Sequence, residues 1–380
     1  MLLVYPILCL AAAFAYAVCM AGYLRGWRRL AVWVIPPGFV PKTAITVLVP
    51  ARNEAAGIGA CLQALLACRY PKELLEIVVL DDHSADRTAD IVARLVAEGA
   101  AQIRLIRMAE QPVPVLSGKK NALALGVSRA RSELIATTDA DCLVPPDWLL
   151  LLASLYETRR PDAIAGPVVA HRERTGFHRF QALDLVGMAG ITGAGIRLGR
   201  HHLGNGANLC YTKAAFNAVG GYADNADRAS GDDVFLLQKI ARQHTVLFLK
   251  NPAAAVYTEV CPDLHAFVQQ RLRWGTKNTA LPDVGAKFVL ALVFLCCTTL
   301  LLNTVLLFFM PALAWVWCGQ LALIALADYV LLREMCIFFG RRNLLRGFWP
   351  AFFLHTVYIA GIGTSSLFAK KYVWKGRVLR

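Results

Sequence analysis

A chain of 380 residues has room for one large domain or two smaller ones. It is 57% hydrophobic, only 17% charged, and carries a net charge of +14. A charged share that low argues against an ordinary soluble protein and for segments seated in a membrane. Much of the positive charge flanks apolar stretches, as with Arg25, Arg28 and Arg29 or Lys370, Lys371 and Lys375, the arrangement of a face turned to an anionic cytoplasmic leaflet. No helix-turn-helix, finger or RNA-binding signature accompanies the charge, so nucleic acid is not an expected partner. The eleven cysteines contain no C-x-x-C, and several lie in or beside apolar runs. They are expected as free, buried thiols in a reduced compartment rather than as disulfides or zinc ligands.

Residues 1–24 form an apolar run followed by arginines, without the positive leading region of a signal peptide. The expectation is an uncleaved transmembrane helix with its carboxyl end in the cytoplasm. A linker with Pro36, Pro37 and Pro41 fills 25–43. From Ala44 apolar strands alternate with helices, the mark of a mostly parallel α/β sheet. Strands are expected over 45–49, 75–80, 103–107 and 134–138, each followed by polar residues and a helix. Ser84 or Asp86 is suited to cap the second helix. Later strands are expected at 163–169, 246–249 and 254–257, and helices at 177–198, 234–241 and 264–280. Three apolar runs follow, at 288–310, 312–332 and 347–369, each long enough to span a bilayer. Three crossings from the cytoplasm put the basic 370–380 tail outside, against the positive-inside tendency. One run lying re-entrant or interfacial resolves the conflict. Gln320 and Asp328 are costly in lipid and should face protein or water.

The chemistry centres on Glu133–Cys142, an apolar strand running into Asp139 and Asp141. Residues i and i+2 of a strand share a face, so both carboxylates can point one way at the carboxyl end, where open α/β sheets bind ligands. Two hard oxygen donors suit a divalent cation, Mg²⁺ or Mn²⁺, that also grips a diphosphate. Asp-x-Asp is also common in plain turns. The sheet-end rule gathers Asn53, Asp81, Asp82, Lys119, Asp139 and Asp141 along one edge. Gly204–Asn208 is a polar, Gly-rich turn that permits close backbone approach.

Taken in order, PARNE (50–54), DDHSADRT (81–88), GKKNALALG (118–126), TDADC (138–142), GGY (220–222) with GDD (231–233), and QRLRW (270–274) resemble a membrane-bound family 2 glycosyltransferase. That is the inverting GT-A superfamily, which includes cellulose and hyaluronan synthases and ceramide glucosyltransferases. The resemblance implies a GT-A, Rossmann-like catalytic domain at 44–260, an amphipathic interfacial segment at 261–285, about three membrane segments within 286–369 and a basic tail at 370–380. It implies nucleotide-sugar contacts by Asn53, Glu54, Asp81, Asp82, Lys119 and Asp139. Asp139 and Asp141 would hold ribose and metal. Asp233 matches the catalytic base. Asp232 stands where the family more often has Glu, and competes for that role. Gln270, Arg273 and Trp274 match Q-x-x-R-W, which borders the donor diphosphate and the acceptor channel.

Elementary chemistry runs parallel to the resemblance. Attack on an anomeric carbon needs a base for the acceptor hydroxyl, neutralisation of the leaving diphosphate, and an in-line donor. One base opposite the leaving group implies inversion. Plainer readings compete: Asp232 and Asp233 as helix-start acids, Gln270, Arg273 and Trp274 as an interfacial anchor, Lys119 and Lys120 as solvated lysines, His201 and His202 as surface histidines. The resulting expectation is a multi-pass inner-membrane enzyme with a cytoplasmic catalytic domain, a UDP-sugar donor and a lipid acceptor. A processive polysaccharide synthase is the alternative, and an inactive membrane scaffold the distant one.

Overall fold

Apolar strands separated by helices can pair in parallel only through crossovers, and the middle of the chain is built that way. The computed structural model describes residues 4–111, 118–223, 231–278, 283–368, 372–374 and 377–379. After α1 (Val4–Arg29) come β1 (Ile45–Ala51), α2 (Ile58–Leu66), β2 (Leu75–Asp81), α3 (Thr88–Ala97), β3 (Ile103–Arg107), α4 (Gly118–Arg129) and β4 (Leu134–Thr137). Then follow β5 (Cys142–Leu143), α5 (Trp148–Arg159), β6 (Ala163–Ala165), β7 (Val168–Ala170) and the long α6 (Gly176–Leu198). The chain continues with β8 (Leu209–Thr212), α7 (Lys213–Ala218), α8 (Asp232–Ala241), β9 (Val246–Phe248) and β10 (Val256–Thr258). It ends with α9 (Leu264–Asn278), α10 (Val284–Leu306), α11 (Ala314–Phe338), α12 (Phe348–Phe368), β11 (Tyr372–Trp374) and β12 (Arg377–Leu379). These elements form two compact units. One, the sheet unit, comprises Leu30–His171, His202–Glu259 and Val373–Arg380; the other, the helical unit, comprises Met1–Arg29, Arg172–His201 and Val260–Tyr372.

The sheet unit holds a seven-stranded sheet in the order β3-β2-β1-β4-β8-β6-β9. β1 pairs in parallel with β2 and β4, β2 with β3, and β6 with β9; β8 runs antiparallel to β4 and β6. In register, Leu48 lies opposite Thr137, and Ala51 opposite Asp81. Strand order therefore reverses between β1 and β4. Such a switch point opens a crevice at the carboxyl ends. Both faces of β1 are covered, which explains its nearly continuous apolar run; the one polar residue, Thr46, is bonded to Glu76 of β2 (2.7 Å). Ile45, Val47 and Val49 join Ile58, Leu62, Leu65 and Trp148 in one core. Against the opposite face α4 comes so close at Gly126 that a Cβ there would lie 2.8 Å from Leu80 and 3.0 Å from Leu48.

Two strand expectations change. Residues 163–169 are not one strand: β6 joins the large sheet, and β7 a three-stranded sheet ordered β5-β10-β7. The break falls at Gly166-Pro167. Pro167 has no N–H to give a ladder, and its carbonyl is taken by Asn208 Nδ2 (2.8 Å) and Val256 N (3.0 Å). β8 was not expected at all, because LCYT is too short to show a period. At the start of α3 the N-cap residue is Arg87, which makes no side-chain cap bond, but Asp86 meets the first helical N–H, its Oδ1 accepting from Thr88 N (3.0 Å). Ser84 Oγ accepts from Asn53 N (3.0 Å) and Asp86 Oδ2 from Ala55 N (3.0 Å), so both tie the β2–α3 loop to the β1–α2 loop.

In the helical unit, α1 and α10 are long and apolar enough to cross a membrane. Polar groups on α1, α10 and α11 pair with one another. Tyr5 Oη donates to Asn303 Oδ1 (2.7 Å), Asn303 Nδ2 to Gln320 Oε1 (2.6 Å), and Gln320 Nε2 to Thr299 Oγ1 (3.1 Å). The Tyr16 hydroxyl donates to Asp328. Gln320 and Asp328 thus face protein, as their cost in lipid demands. His201 is not a surface residue: it is 2% exposed, with Nε2 2.8 Å from Tyr23 Oη. Where a basic tail was expected, β11 and β12 form a two-stranded ribbon. Lys370, Lys371 and Lys375 lie outside the described residues.

Candidate active site

Three loops at the carboxyl ends of β1, β2 and β4 build one side of the site. After β1, Asn53 takes a left-handed backbone (φ 53°) that Asn tolerates better than most residues. Its Oδ1 accepts from Ala85 N (2.8 Å), while Glu54 N donates to Thr88 Oγ1 (2.8 Å) and Arg52 Nη1 to the Asp82 carbonyl (2.7 Å). Asn53 therefore spends its side chain on holding the two loops together. Asp81 ends β2 and is 6% exposed; among the described residues its Oδ1 has no hydrogen-bond partner. A buried carboxylate oxygen without a donor is costly unless a ligand supplies one. Asp82 Oδ1 lies 2.9 Å from His83 Nδ1, so His83 orients an acid and is structural.

β4 delivers Asp139 and Asp141. Asp139 is half-buried and Asp141 exposed, and the turn between them packs against Gly57, where a Cβ would lie 3.2 Å from the Ala140 carbonyl and from Asp141 Cα. Ligand atoms of Asp139, Asp141 and Cys142 all lie within 4.8 Å of one another. The two carboxylates suit Mg²⁺ or Mn²⁺. Burial, then the Asp141 and Asp139 charges, push the Cys142 thiol well up and disfavour its thiolate, so hard oxygen donors dominate the cluster.

The other side comes from α4, α8 and the Gly-rich turn. Lys119 Nζ lies 2.5 Å from Asp139 Oδ1 and 3.7 Å from Asp232 Oδ2. Burial disfavours its ammonium, but Asp139, Asp232 and Asp233 outweigh burial and hold its pKa above the ordinary lysine value. Lys120 is 1% exposed, with Nζ 6.0 Å from the Phe235 ring centre. The reading of these two as solvated lysines is therefore corrected. Asp232 and Asp233 open α8 after Gly231, whose φ of 91° favours glycine. Asp232 is buried; Asp233 is half-buried, and its Oδ2 accepts from Gly206 N (3.1 Å).

The Gly-rich turn serves the protein itself. Thr137 Oγ1 donates to the Gly206 carbonyl (2.6 Å), which ties the turn to β4. Asn208 is 1% exposed and bonds Pro167, Ala254 (both 2.8 Å) and Trp148 Nε1 (2.9 Å). Gly206 and Asn208 were missed as positioning groups, since no local pattern separates a turn that holds an acid from one that holds a ligand.

Gln270, Arg273 and Trp274 lie half-buried on α9 of the helical unit. The residue between them carries the unit's main charge pair. Arg271, 5% exposed, bonds Asp184 of α6 at 2.7 Å, and its guanidinium stands 4.2 Å from the Trp274 ring centre and 4.7 Å from that of Phe267. Tyr358 Oη donates to Asp184 at 3.2 Å, and His355 Nδ1 lies 3.4 Å from it. Burial raises the Asp184 carboxyl, but Arg271 and His355 outweigh it and hold the pKa below the ordinary value.

Comparison with known proteins follows the same lines. Residues 46–208 match the family model Glycosyl transferase family 2, and residues 134–360 match Glycosyl transferase family group 2. A probable glycosyltransferase, YdaM of Bacillus subtilis, is 27% identical over 67% of this chain and 60% of its own length. A beta-monoglucosyldiacylglycerol synthase of Synechocystis is 27% identical over 62% of this chain and 48% of its own length. This chain thus spans only 60% and 48% of those two curated relatives. The mannosyltransferase PcManGT of Pyrobaculum calidifontis, solved in complex with GDP-Man and Mn²⁺, superposes with a TM-score of 0.59 at 20% identity, over 95% of this chain and 99% of that one. It shows the GT-A fold.

Proposed function

This chain belongs to glycosyltransferase family 2, and from that premise we propose that it is an inverting, metal-dependent enzyme moving a sugar from a nucleotide, UDP in the first place, to a membrane lipid. The observation that carries the reading is the cluster of Asp139, Lys119 and Asp232, with Asp141 and Asp233 beside it, at the sheet's switch point. Asp81 and Asp82 face the nucleotide, and the buried, unpartnered Asp81 oxygen is suited to a donor from base or ribose. Asn53 and Glu54 shape that end through the loop ties. Asp139 and Asp141 would hold Mg²⁺ or Mn²⁺, which neutralises the diphosphate when bound.

Asp233 is the base. It is the more accessible acid at the start of α8, and Gly206 N–H fixes one of its oxygens. Asp232 is buried beside Lys119 and is a poorer candidate. Asp233 takes the proton of the acceptor hydroxyl as that oxygen bonds the anomeric carbon. The bond from that carbon to the diphosphate oxygen breaks on the opposite face, and the diphosphate leaves with the electron pair. Configuration inverts. Gln270, Arg273 and Trp274 are assigned to the border of donor and acceptor.

The lipid acceptor and a multi-pass inner-membrane seat, with the sheet unit cytoplasmic, draw support from three sources. The Synechocystis relative bears the name of a glycolipid synthase. Helices α1 and α10 have spanning length. Large apolar side chains such as Ile7, Phe14, Phe288 and Trp349 are exposed in the helical unit. The Q-x-x-R-W run favours a processive polysaccharide synthase as the second reading. The test is to supply UDP- and GDP-sugars with Mg²⁺ or Mn²⁺ to purified protein in native lipid extract. A single labelled lipid product supports the proposal. A long polymer supports the second reading, and no turnover with any donor supports an inactive scaffold.

A further inference from the structure

Lys119 is placed differently from a lysine that waits for a ligand. Its ammonium already sits 2.5 Å from Asp139 and 3.7 Å from Asp232, with its side chain only 21% exposed. It reaches inward from the second residue of α4, whose first residue, Gly118, has a φ of 48° that favours glycine. Gly206 lines the same space, where a Cβ would lie 3.5 Å from Lys119 Nζ and 3.7 Å from Asp232 Oδ2. The same Asp139 is one of the two carboxylates that converge with ligand atoms within 4.8 Å.

We propose that Lys119 is a built-in counter-cation: it occupies Asp139 and tethers Asp232 in the nucleotide-free protein, so that divalent metal enters together with the diphosphate rather than ahead of it. This rests on the glycosyltransferase reading. A divalent ion arriving alone must share Asp139 with an ammonium, and like charges repel strongly at such separations inside a protein. A diphosphate brings anionic oxygens for both cations and removes the conflict. Metal and nucleotide binding are then coupled, and the coupling is reciprocal. Lys119 acts through Asp139 and Asp232 and is a positioning residue.

The test measures Mn²⁺ binding to the full chain in detergent by electron paramagnetic resonance, without nucleotide and with saturating UDP or GDP. The wild type should bind Mn²⁺ weakly alone and more tightly with nucleotide. Lys119→Met should bind Mn²⁺ alone roughly tenfold more tightly than wild type, and nucleotide should add less. Lys119→Arg, which keeps the charge, should follow the wild type. A folded Lys119→Met that binds Mn²⁺ alone no better than wild type overturns the proposal. If that variant does not fold, Lys119→Gln carries the same comparison, and a wild type without nucleotide enhancement overturns the proposal unaided. A wild type that turns over donor while these shifts fail sinks this inference alone. A wild type binding neither nucleotide nor metal overturns it together with the reading beneath it.

Discussion

The two units each gather a cluster of charge, and the clusters are built on opposite principles. In the helical unit one carboxylate, Asp184, is met by Arg271 at 2.7 Å, Tyr358 at 3.2 Å and His355 at 3.4 Å. In the sheet unit three carboxylates, Asp139, Asp232 and Asp233, surround Lys119, with Asp141 beside Asp139. In the first cluster the carboxylate is charge-compensated from within and ties helices together, and of its buried polar atoms only Arg271 Nε lacks a hydrogen-bond partner among the described residues. The second carries an excess of negative charge, which the fold tolerates and a bound cation would relieve. A saturated cluster reads as architecture, an unsaturated one as a site.

Breaking the saturated cluster should produce the largest loss of stability. Arg271→Ala leaves Asp184 buried without its cation and should destabilise the protein by about 3–5 kcal/mol, visible as a large drop in the thermal midpoint in detergent. A drop no larger than that of an exposed control such as Arg131→Ala would remove the contrast. The same pair sets a pH limit. Because the folded Asp184 pKa is lowered, its contribution is present above the ordinary carboxylate range and is lost as pH falls through the folded value. The stability gap between wild type and Arg271→Ala should accordingly narrow as pH falls through the folded Asp184 value, because protonation removes the buried charge that Arg271 compensates.

The sheet unit has a saturated hub of its own at Asn208. Gly166→Ala puts a Cβ 2.4 Å from the Asn208 side chain, which cannot yield without breaking bonds to Pro167, Ala254 and Trp148. Overpacking of this kind costs about 1–3 kcal/mol, and denaturant unfolding measures it. The smallest effect has the opposite sign. Asp141→Asn removes one charge from the overcharged cluster and should raise metal-free stability by about 0.5 kcal/mol, while it abolishes metal-supported transfer. Destabilisation by Asp141→Asn in a chelator would place this cluster with the saturated one.

Much of this was legible in the sequence, for physical reasons. β1, β2 and β4 are buried on both faces and show as mostly apolar runs, broken only by the bonded pair Thr46 and Glu76 before each ends in the polar residues that the switch point collects. The strand period places Asp139 and Asp141 on one face; β4 in fact ends at Thr137, and the turn after it brings their ligand atoms within 4.8 Å. What was not legible depends on partners far apart in the chain. Asp184 lies in a helix with no local sign that Arg271 will meet it. Lys119 looks like any surface lysine until α4, packed on β1 and β2, brings it to Asp139 and Asp232. Gly206 and Asn208 look like a ligand-binding turn, because their actual partners, Asp233, Pro167 and Trp148, are set by the sheet order. The break at Gly166-Pro167 was visible as residues, but the second sheet that exploits it was not.

The central claim is that Asp233 does chemistry at a site whose binding parts are separate residues, and one comparison tests it directly. Asp233→Asn is measured beside the wild type for Mn²⁺ and nucleotide binding and for sugar transfer. The account predicts that both ligands bind nearly as in the wild type while transfer falls by about 10²–10⁴-fold. Transfer within a few-fold of wild type would contradict it and move the base to another residue, with Asp232 the first to examine.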